Sequence, residues 1–110
     1  MDDFDINYLR HFCSHHKINW TEHIIVRLLQ RGIMQEDVEN AISTGEIIEQ
    51  YPDDYPNPSC LILGLTVANE KIHVVCGVCN DILWMITAYF PDFSIWEKDL
   101  KTRKNGGKRK

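Results

Sequence analysis

Apolar residues recur along this chain in two rhythms, and the rhythm changes once. In the first third the spacing is three and four. Ile6, Leu9, Phe12 and Cys13 fall on one face of a helix predicted within residues 4–17. Ile24, Ile25, Leu28 and Leu29 repeat the pattern over 22–31. Thr21 suits the N-cap of that helix, Glu22 suits its first turn, and Gly32 is placed to end it in a left-handed conformation. Val38, Ala41 and Ile42 predict a shorter helix over 35–43, started by Glu36 and Asp37 and stopped by Gly45.

From Glu46 onward the pattern belongs to strands. Residues 46–51 predict one strand, 59–67 a second, and 72–89 a hairpin of two more. Three prolines among residues 52–58 make the first connection an irregular loop. The hairpin turns at Asn80-Asp81, a pair that tolerates positive φ. Its arms are almost wholly apolar, which predicts cover on both faces. After Pro91, residues 94–101 predict a short helix capped by Asp92 or Ser94, with Trp96 and Leu100 on its inner side.

Helices first, consecutive short strands next and a helix last predict an α+β fold. The expectation is N-terminal helices packed on a twisted antiparallel sheet of about four strands. One domain spans 1–104, followed by a basic tail over 105–110.

Composition changes this picture little. The chain has 110 residues, 44% apolar and 25% charged, as in an ordinary globular domain. No apolar run approaches the roughly 20 residues of a membrane span. The acidic start, Met1 to Asp5, lacks the basic region of a signal peptide, so a cytoplasmic location is expected. Charge matters more. Met1 to Glu97 hold 15 acidic and five basic residues, whereas the remainder holds seven basic and one acidic. An acidic body with a basic end argues against casual RNA binding, because phosphate affinity is mostly electrostatic.

Candidate chemistry lies in two places. His23, Arg27 and Arg31 stand four residues apart and form a stripe along the second helix. The stripe is either a cationic rail for phosphate or a solvated helix face. His73, Thr87 and Tyr89 interrupt the apolar hairpin. They are either satisfied core residues or the floor of a site. A two-residue turn at Asn80-Asp81 pairs Val74 with Thr87, whereas a three-residue loop puts His73, Thr87 and Tyr89 on one face. Cys76 and Cys79 form a Cys-x-x-Cys without a second matching pair, so buried thiols are expected rather than a metal site. His11 and His15, four apart, are expected as exposed helix residues. No metal and no cofactor is expected.

Several short strings in fixed order carry a family resemblance. They are Thr21-Glu22-His23, Arg27, Arg31-Gly32-Ile33, Asp37-Val38, Ala41-Ile42, Gly45-Glu46-Ile47-Ile48-Glu49 and Tyr51-Pro52-Asp53. Pro58-Ser59, Gly64, His73-Val74-Val75, Ile86-Thr87-Ala88-Tyr89, Pro91-Asp92, Trp96-Glu97 and Arg103 continue them. Over residues 20–104 the chain resembles a widespread family of small prokaryotic domains of unknown function, grouped with the RelE/BrnT-like toxins of toxin–antitoxin pairs. The resemblance implies a RelE/barnase-like ribonuclease toxin fold. It implies a metal-independent endoribonuclease that cuts mRNA, often on the ribosome. The implied partner is a cognate antitoxin, in this family a small zinc-ribbon protein. The pattern departs from RelE in one respect: no Lys or Arg lies between Lys71 and Phe90. Histidine must then supply the proton chemistry, and its unperturbed pKa near 6.5 suits it. The expected roles are His23 and His73 as acid and base, and Arg27 as the group that neutralises the phosphorane. Thr87 and Tyr89 act as hydrogen-bond donors, and Arg31, Arg103 and Lys104 as RNA contacts. The acidic body supports a rival: a non-catalytic interaction module that binds a basic partner or itself.

Overall fold

The computed structural model describes residues 3–104. The basic tail expected over 105–110 lies outside them. Three helices precede the main strands: α1 (Ile6–Ser14), α2 (Glu22–Gln30) and α3 (Gln35–Thr44). Capping fixes their starts. The Asp5 carboxylate accepts from the Asn7 amide at 2.7 Å, and the Thr21 hydroxyl accepts from Ile24 at 3.1 Å. Gly32 follows α2 at φ +75°, in the left-handed region that the sequence assigns to it.

The strands are β1 (Ile18–Asn19), β2 (Glu46–Tyr51), β3 (Ser59–Leu65), β4 (Lys71–Cys79) and β5 (Ile82–Tyr89). They form a five-stranded sheet in the order β1-β5-β4-β3-β2. An antiparallel sheet of about four strands was expected; β1 was not. It adds to β5 in parallel, Ile18 beside Leu83 and Asn19 beside Trp84, which makes the sheet mixed. Two residues carry no readable period, so pattern alone cannot find such a strand.

Two bulges set the faces of the sheet. The hairpin turn has two residues, with Cys79 opposite Ile82, yet Val75 stands opposite Thr87 while Cys76 stands opposite Met85. Ile86 is the extra residue. The bulge replaces the Val74–Thr87 pairing that a two-residue turn alone would impose. His73 therefore faces Tyr89, and Thr87 shares their side. A second bulge at Ile48 sets Glu49 opposite Leu61.

The helices cover one face. Ile24, Leu28, Val38 and Ile42 pack there on Ile62, Val74, Met85 and Ala88. Gly64 lets α3 come close: a Cβ on Gly64 would stand 2.1 Å from the Ala41 carbonyl oxygen. On the opposite face a smaller cluster joins Leu61, Leu63 and Val75 to Trp96 and Leu100.

Residues 94–101 do not form the expected helix. Local side chains win the competition for the backbone. Asp92 accepts from the Ser94 amide, and Asp99 accepts from the amides of Lys101 and Thr102. Leu100 takes φ +58°, outside any right-handed helix. The segment folds back on itself, with Trp96 bridged to Arg103. Trp96 and Leu100 are buried all the same, as their apolar spacing implied. Among the described residues no helix is long and apolar enough to cross a membrane.

Candidate functional site

The structure sorts the expected site residues into two groups on opposite sides of the sheet. His23 and Arg27 lie exposed on α2, with His23 Nε2 and Arg27 Nη2 3.4 Å apart. Arg31 does not continue them as a free rail. Its Nη1 donates to the Thr87 hydroxyl at 3.0 Å and to the Ala88 carbonyl at 2.7 Å. That contact closes the edge of β5 beyond the short reach of β1.

His73 stands on the other face and is fully buried. Its Nε2 donates to the Leu100 carbonyl at 2.8 Å, while Nδ1 has no hydrogen-bond partner among the described residues. The expectation that His23 and His73 work as one pair is not met. α2 packs through Ile24 and Leu28 on the face lined by Val74 and Ala88. His73, one residue from Val74, points away from it by strand alternation. Thr87 belongs to the His73 face by register, but Arg31 holds its hydroxyl at the edge.

A different set of groups surrounds His73. Strand alternation aims Glu49 and Tyr51 of β2 to the same face, across β3 from His73. Arg103 clamps Glu49 with two hydrogen bonds, Nε to Oε2 at 2.8 Å and Nη2 to Oε1 at 3.1 Å. The Tyr51 hydroxyl donates a short hydrogen bond to Glu49 Oε1. The Arg103 guanidinium lies 4.5 Å from the centroid of the Trp96 ring, in cation–π range. The His73 ring meets Trp96 edge-on at 4.6 Å and Tyr89 at 5.4 Å. Sequence reasoning assigned Tyr89 and Arg103 and missed Glu49, Tyr51 and Trp96. The signal for the first two was a carboxylate and a phenol two apart in a strand, hence on one face.

Electrostatics follow from this packing. Burial lowers the His73 pKa; the Leu100 carbonyl and Glu49 pull it back up and Arg103 pushes it down, but burial prevails. Burial would raise Glu49, yet the Arg103 and Tyr51 hydrogen bonds outweigh it and hold the carboxyl below its ordinary value. Burial and the Glu49 carboxylate raise the Tyr51 phenol. Glu49 is therefore ionised and His73 neutral around neutral pH.

The other candidates resolve simply. Cys76 and Cys79 are three apart on one strand and point to opposite faces, so they do not form a ligand pair. Cys76 sits directly across from Cys60, and that contact together with burial pushes its thiol pKa well up. The His15 ring leans on His11 with centroids 4.2 Å apart, and its Nδ1 contacts the His11 carbonyl. Among the described residues, no group of three or more His, Cys, Asp or Glu side chains is placed to hold a metal ion. Lys104 is exposed, and its amide donates to the Ile95 carbonyl at 2.9 Å.

No curated protein and no solved structure matches the chain. Residues 20–90 match a family described as a domain of unknown function, DUF4258. That segment runs from Trp20 through β5, holds both α2 and the sheet from β2 onward, and covers more than half of the chain. The chain therefore belongs to the DUF4258 family.

Proposed function

We propose that this protein is a metal-independent endoribonuclease of the RelE/BrnT-like group, the toxin half of a toxin–antitoxin pair that acts on mRNA. One observation carries the reading. A carboxylate, an imidazole, two phenols and a guanidinium gather on the sheet face that the helices leave uncovered. Glu49 replaces His23 as the partner of His73. In RNA cleavage the 2′-oxygen attacks phosphorus and loses its proton, and the bond from phosphorus to the 5′-oxygen breaks. Glu49, ionised, takes the 2′-hydroxyl proton. Arg103 offers the donors that a charged phosphorane needs. His73, neutral in the free chain, gains a proton beside the bound phosphate, whose negative charge favours the imidazolium, and gives it to the leaving 5′-oxygen. The N-terminal helices on a largely antiparallel sheet agree with a RelE/barnase-like fold, and a cognate antitoxin would mask the same face.

The test is cleavage of single-stranded RNA in EDTA by the natural chain and by Glu49→Gln, His73→Gln and His23→Ala. Cyclic-phosphate products that fall about 100-fold or more in the first two variants and persist in the third are expected. Equal cleavage by all four chains would sink the assignment.

A second reading rests on a different surface. A groove of about 310 Å³ lies between the Tyr55–Pro58 loop and β5, lined by Tyr55, Pro56, Pro58, Trp84 and Ile86. Tyr55 is 95% exposed, Trp84 38% and Ile86 43%. With the acidic body, this surface favours a non-catalytic module that binds a basic partner or itself. A chain that cleaves no RNA and sediments as a dimer, with the dimer lost in Trp84→Ala, would favour it.

A further inference from the structure

We infer that His11 and His15 form a two-histidine chelate on the outer face of α1 for a divalent cation of the Zn²⁺ or Ni²⁺ class, with water filling the other coordination positions. The site is separate from the groups around His73. Leu9 and Phe12 pack α1 into the apolar cluster on the helix-covered face of the sheet, and His73 lies on the other face. The inference therefore stands whether or not the chain cleaves RNA.

Spacing brings the two rings together. Residues four apart on a helix lie one above the other on the same face. Both histidines are exposed, while Leu9 and Phe12 are buried on the inner side of the same helix. The two ring centroids stand 4.2 Å apart with 39° between the planes. Nitrogens held by one tetrahedral ion at about 2.0–2.1 Å are about 3.3 Å from each other. Rings this close reach that separation when one of them turns about its Cβ–Cγ bond, a torsion with broad wells. No movement of the backbone is needed.

Hydrogen bonding selects the nitrogen that His15 offers. Its Nδ1 lies 2.9 Å from the His11 carbonyl oxygen and 3.1 Å from the Ser14 hydroxyl. That hydroxyl gives its own proton to the same carbonyl at 3.0 Å. A carbonyl only accepts, so His15 Nδ1 carries the ring proton and Nε2 keeps the lone pair. Metal-binding histidines are held in this way, one nitrogen donating to a backbone carbonyl and the other on the ion. Among the described residues neither ring nitrogen of His11 is hydrogen-bonded, so the His11 ring is the one free to turn.

Position and donor type set the kind of ion. His15 is the C-cap of α1 and His11 lies in its last turn, at the end where the helix dipole favours positive charge. Imidazole suits Zn²⁺, Ni²⁺ and Cu²⁺, whereas Mg²⁺ and Ca²⁺ take oxygen. Among the described residues no third His, Cys, Asp or Glu completes the set. The ion would therefore keep open, water-filled positions, unlike a closed structural zinc site.

Ni²⁺ is the probe, because it is paramagnetic and does not oxidise the four free thiols. It is titrated into the full chain and followed by calorimetry and by NMR of the histidine rings. One ion per chain should bind more tightly than about 1 mM. The ring signals of His11 and His15 should broaden first, while those of His23 and His73 stay sharp. His11→Ala and His15→Ala should each weaken binding about tenfold or more, and His23→Ala less than about twofold. Both α1 variants change an exposed side chain, so the fold should persist. Before any metal is added, ring nitrogen shifts should show His15 protonated on Nδ1. No binding up to about 1 mM Ni²⁺, broadening as strong at His23 as at His11, or unchanged affinity in the two α1 variants would overturn the site. A His15 ring protonated on Nε2 would overturn it too, because the nitrogen offered to the ion would then be blocked.

Discussion

His73 Nε2 donates to the carbonyl of Leu100 at 2.8 Å, so a histidine of the sheet is tied to the backbone of a segment 27 residues away. This bond is compatible with a neutral imidazole. Protonation would add a second N–H, at Nδ1, inside the apolar cluster. Burial holds the folded pKa of His73 below its ordinary value, while Glu49 and the Leu100 carbonyl oppose the shift and Arg103 adds to it. The unfolded chain therefore binds the proton more tightly than the folded one. The resulting stability is present in full above the unfolded pKa of about 6.5 and is lost as pH falls from there through the folded pKa. Urea unfolding at about pH 7.5 and about pH 5 should show a loss of at most about 1.4 kcal/mol per pH unit from this group. In His73→Phe this component should vanish. An unchanged pH dependence in that variant would assign the effect to another group.

Arg103 ties the 92–104 segment to the sheet through both carboxylate oxygens of Glu49. The side chains of Arg103 and Glu49 are 16% and 21% exposed, so the pair is neither a solvated surface contact nor a fully buried one. Arg103→Ala should cost about 1–3 kcal/mol, between the ranges for surface and buried pairs. Arg103→Lys should recover less than half of that, because an ammonium lacks the fork that meets both carboxylate oxygens and stacks poorly on Trp96. Chemical denaturation gives both numbers. Equal stability of the Lys variant and the natural chain would mean that charge alone matters there.

Arg31 stabilises an edge rather than a rail. Its two bonds to Thr87 and Ala88 satisfy β5 where β1 has already ended. Arg31→Ala should lower stability by about 1–2 kcal/mol, since an exposed edge carbonyl regains water in part. The amides of β5 near Ala88 should exchange faster, and those of β3 should not. If RNA affinity fell while stability and exchange stayed constant, Arg31 would be a phosphate contact after all.

Much of the fold was legible because its signals are local. The three helices follow from apolar spacing and from Thr21, Gly32 and Gly45 at their ends. The Asn80-Asp81 turn was also legible, with both residues at positive φ. The rest depends on contacts that no local pattern records. β1 has two residues, and the helix expected near Trp96 lost to Asp92 and Asp99. The site was half legible: Tyr89, His73 and Arg103 were found, but the bulges that decide the faces were not. Ile86 and Ile48 are ordinary strand residues, and nothing in either side chain announces an extra position. Glu49 and Tyr51 were passed over because a short strand with a charged residue reads as a solvated edge until a partner such as Arg103 arrives from a distant segment.

Gly64 predicts its own sensitivity. A methyl group there would stand 2.1 Å from the Ala41 oxygen and 2.6 Å from its carbonyl carbon, both backbone atoms of α3. No rotamer change relieves a clash with backbone. Gly64→Ala should therefore push α3 off the sheet and cost about 3 kcal/mol or more. Thermal unfolding should show a large fall in Tm. A loss below about 1 kcal/mol would mean that α3 shifts freely on β3.

The bulge at Ile86 gives the sharpest test of how the site is built. Met85 and Ala88 both face the helices although they are three apart, because Ile86 occupies no paired position. Deleting Ile86 should leave Cys76 opposite Met85, Val75 opposite Thr87 and His73 opposite Tyr89. Every remaining residue keeps its face, and only the local twist is lost. The shortened chain should fold with a loss of about 1–3 kcal/mol, because Ile86 is half-exposed and contributes little core. Cross-strand contacts measured by NMR should still connect the His73 and Tyr89 rings. A chain that instead paired Val74 with Thr87 would turn Thr87 and Tyr89 towards the helices. It would show that the bulge, and not the apolar pattern of Met85 and Ala88, holds the register of the site.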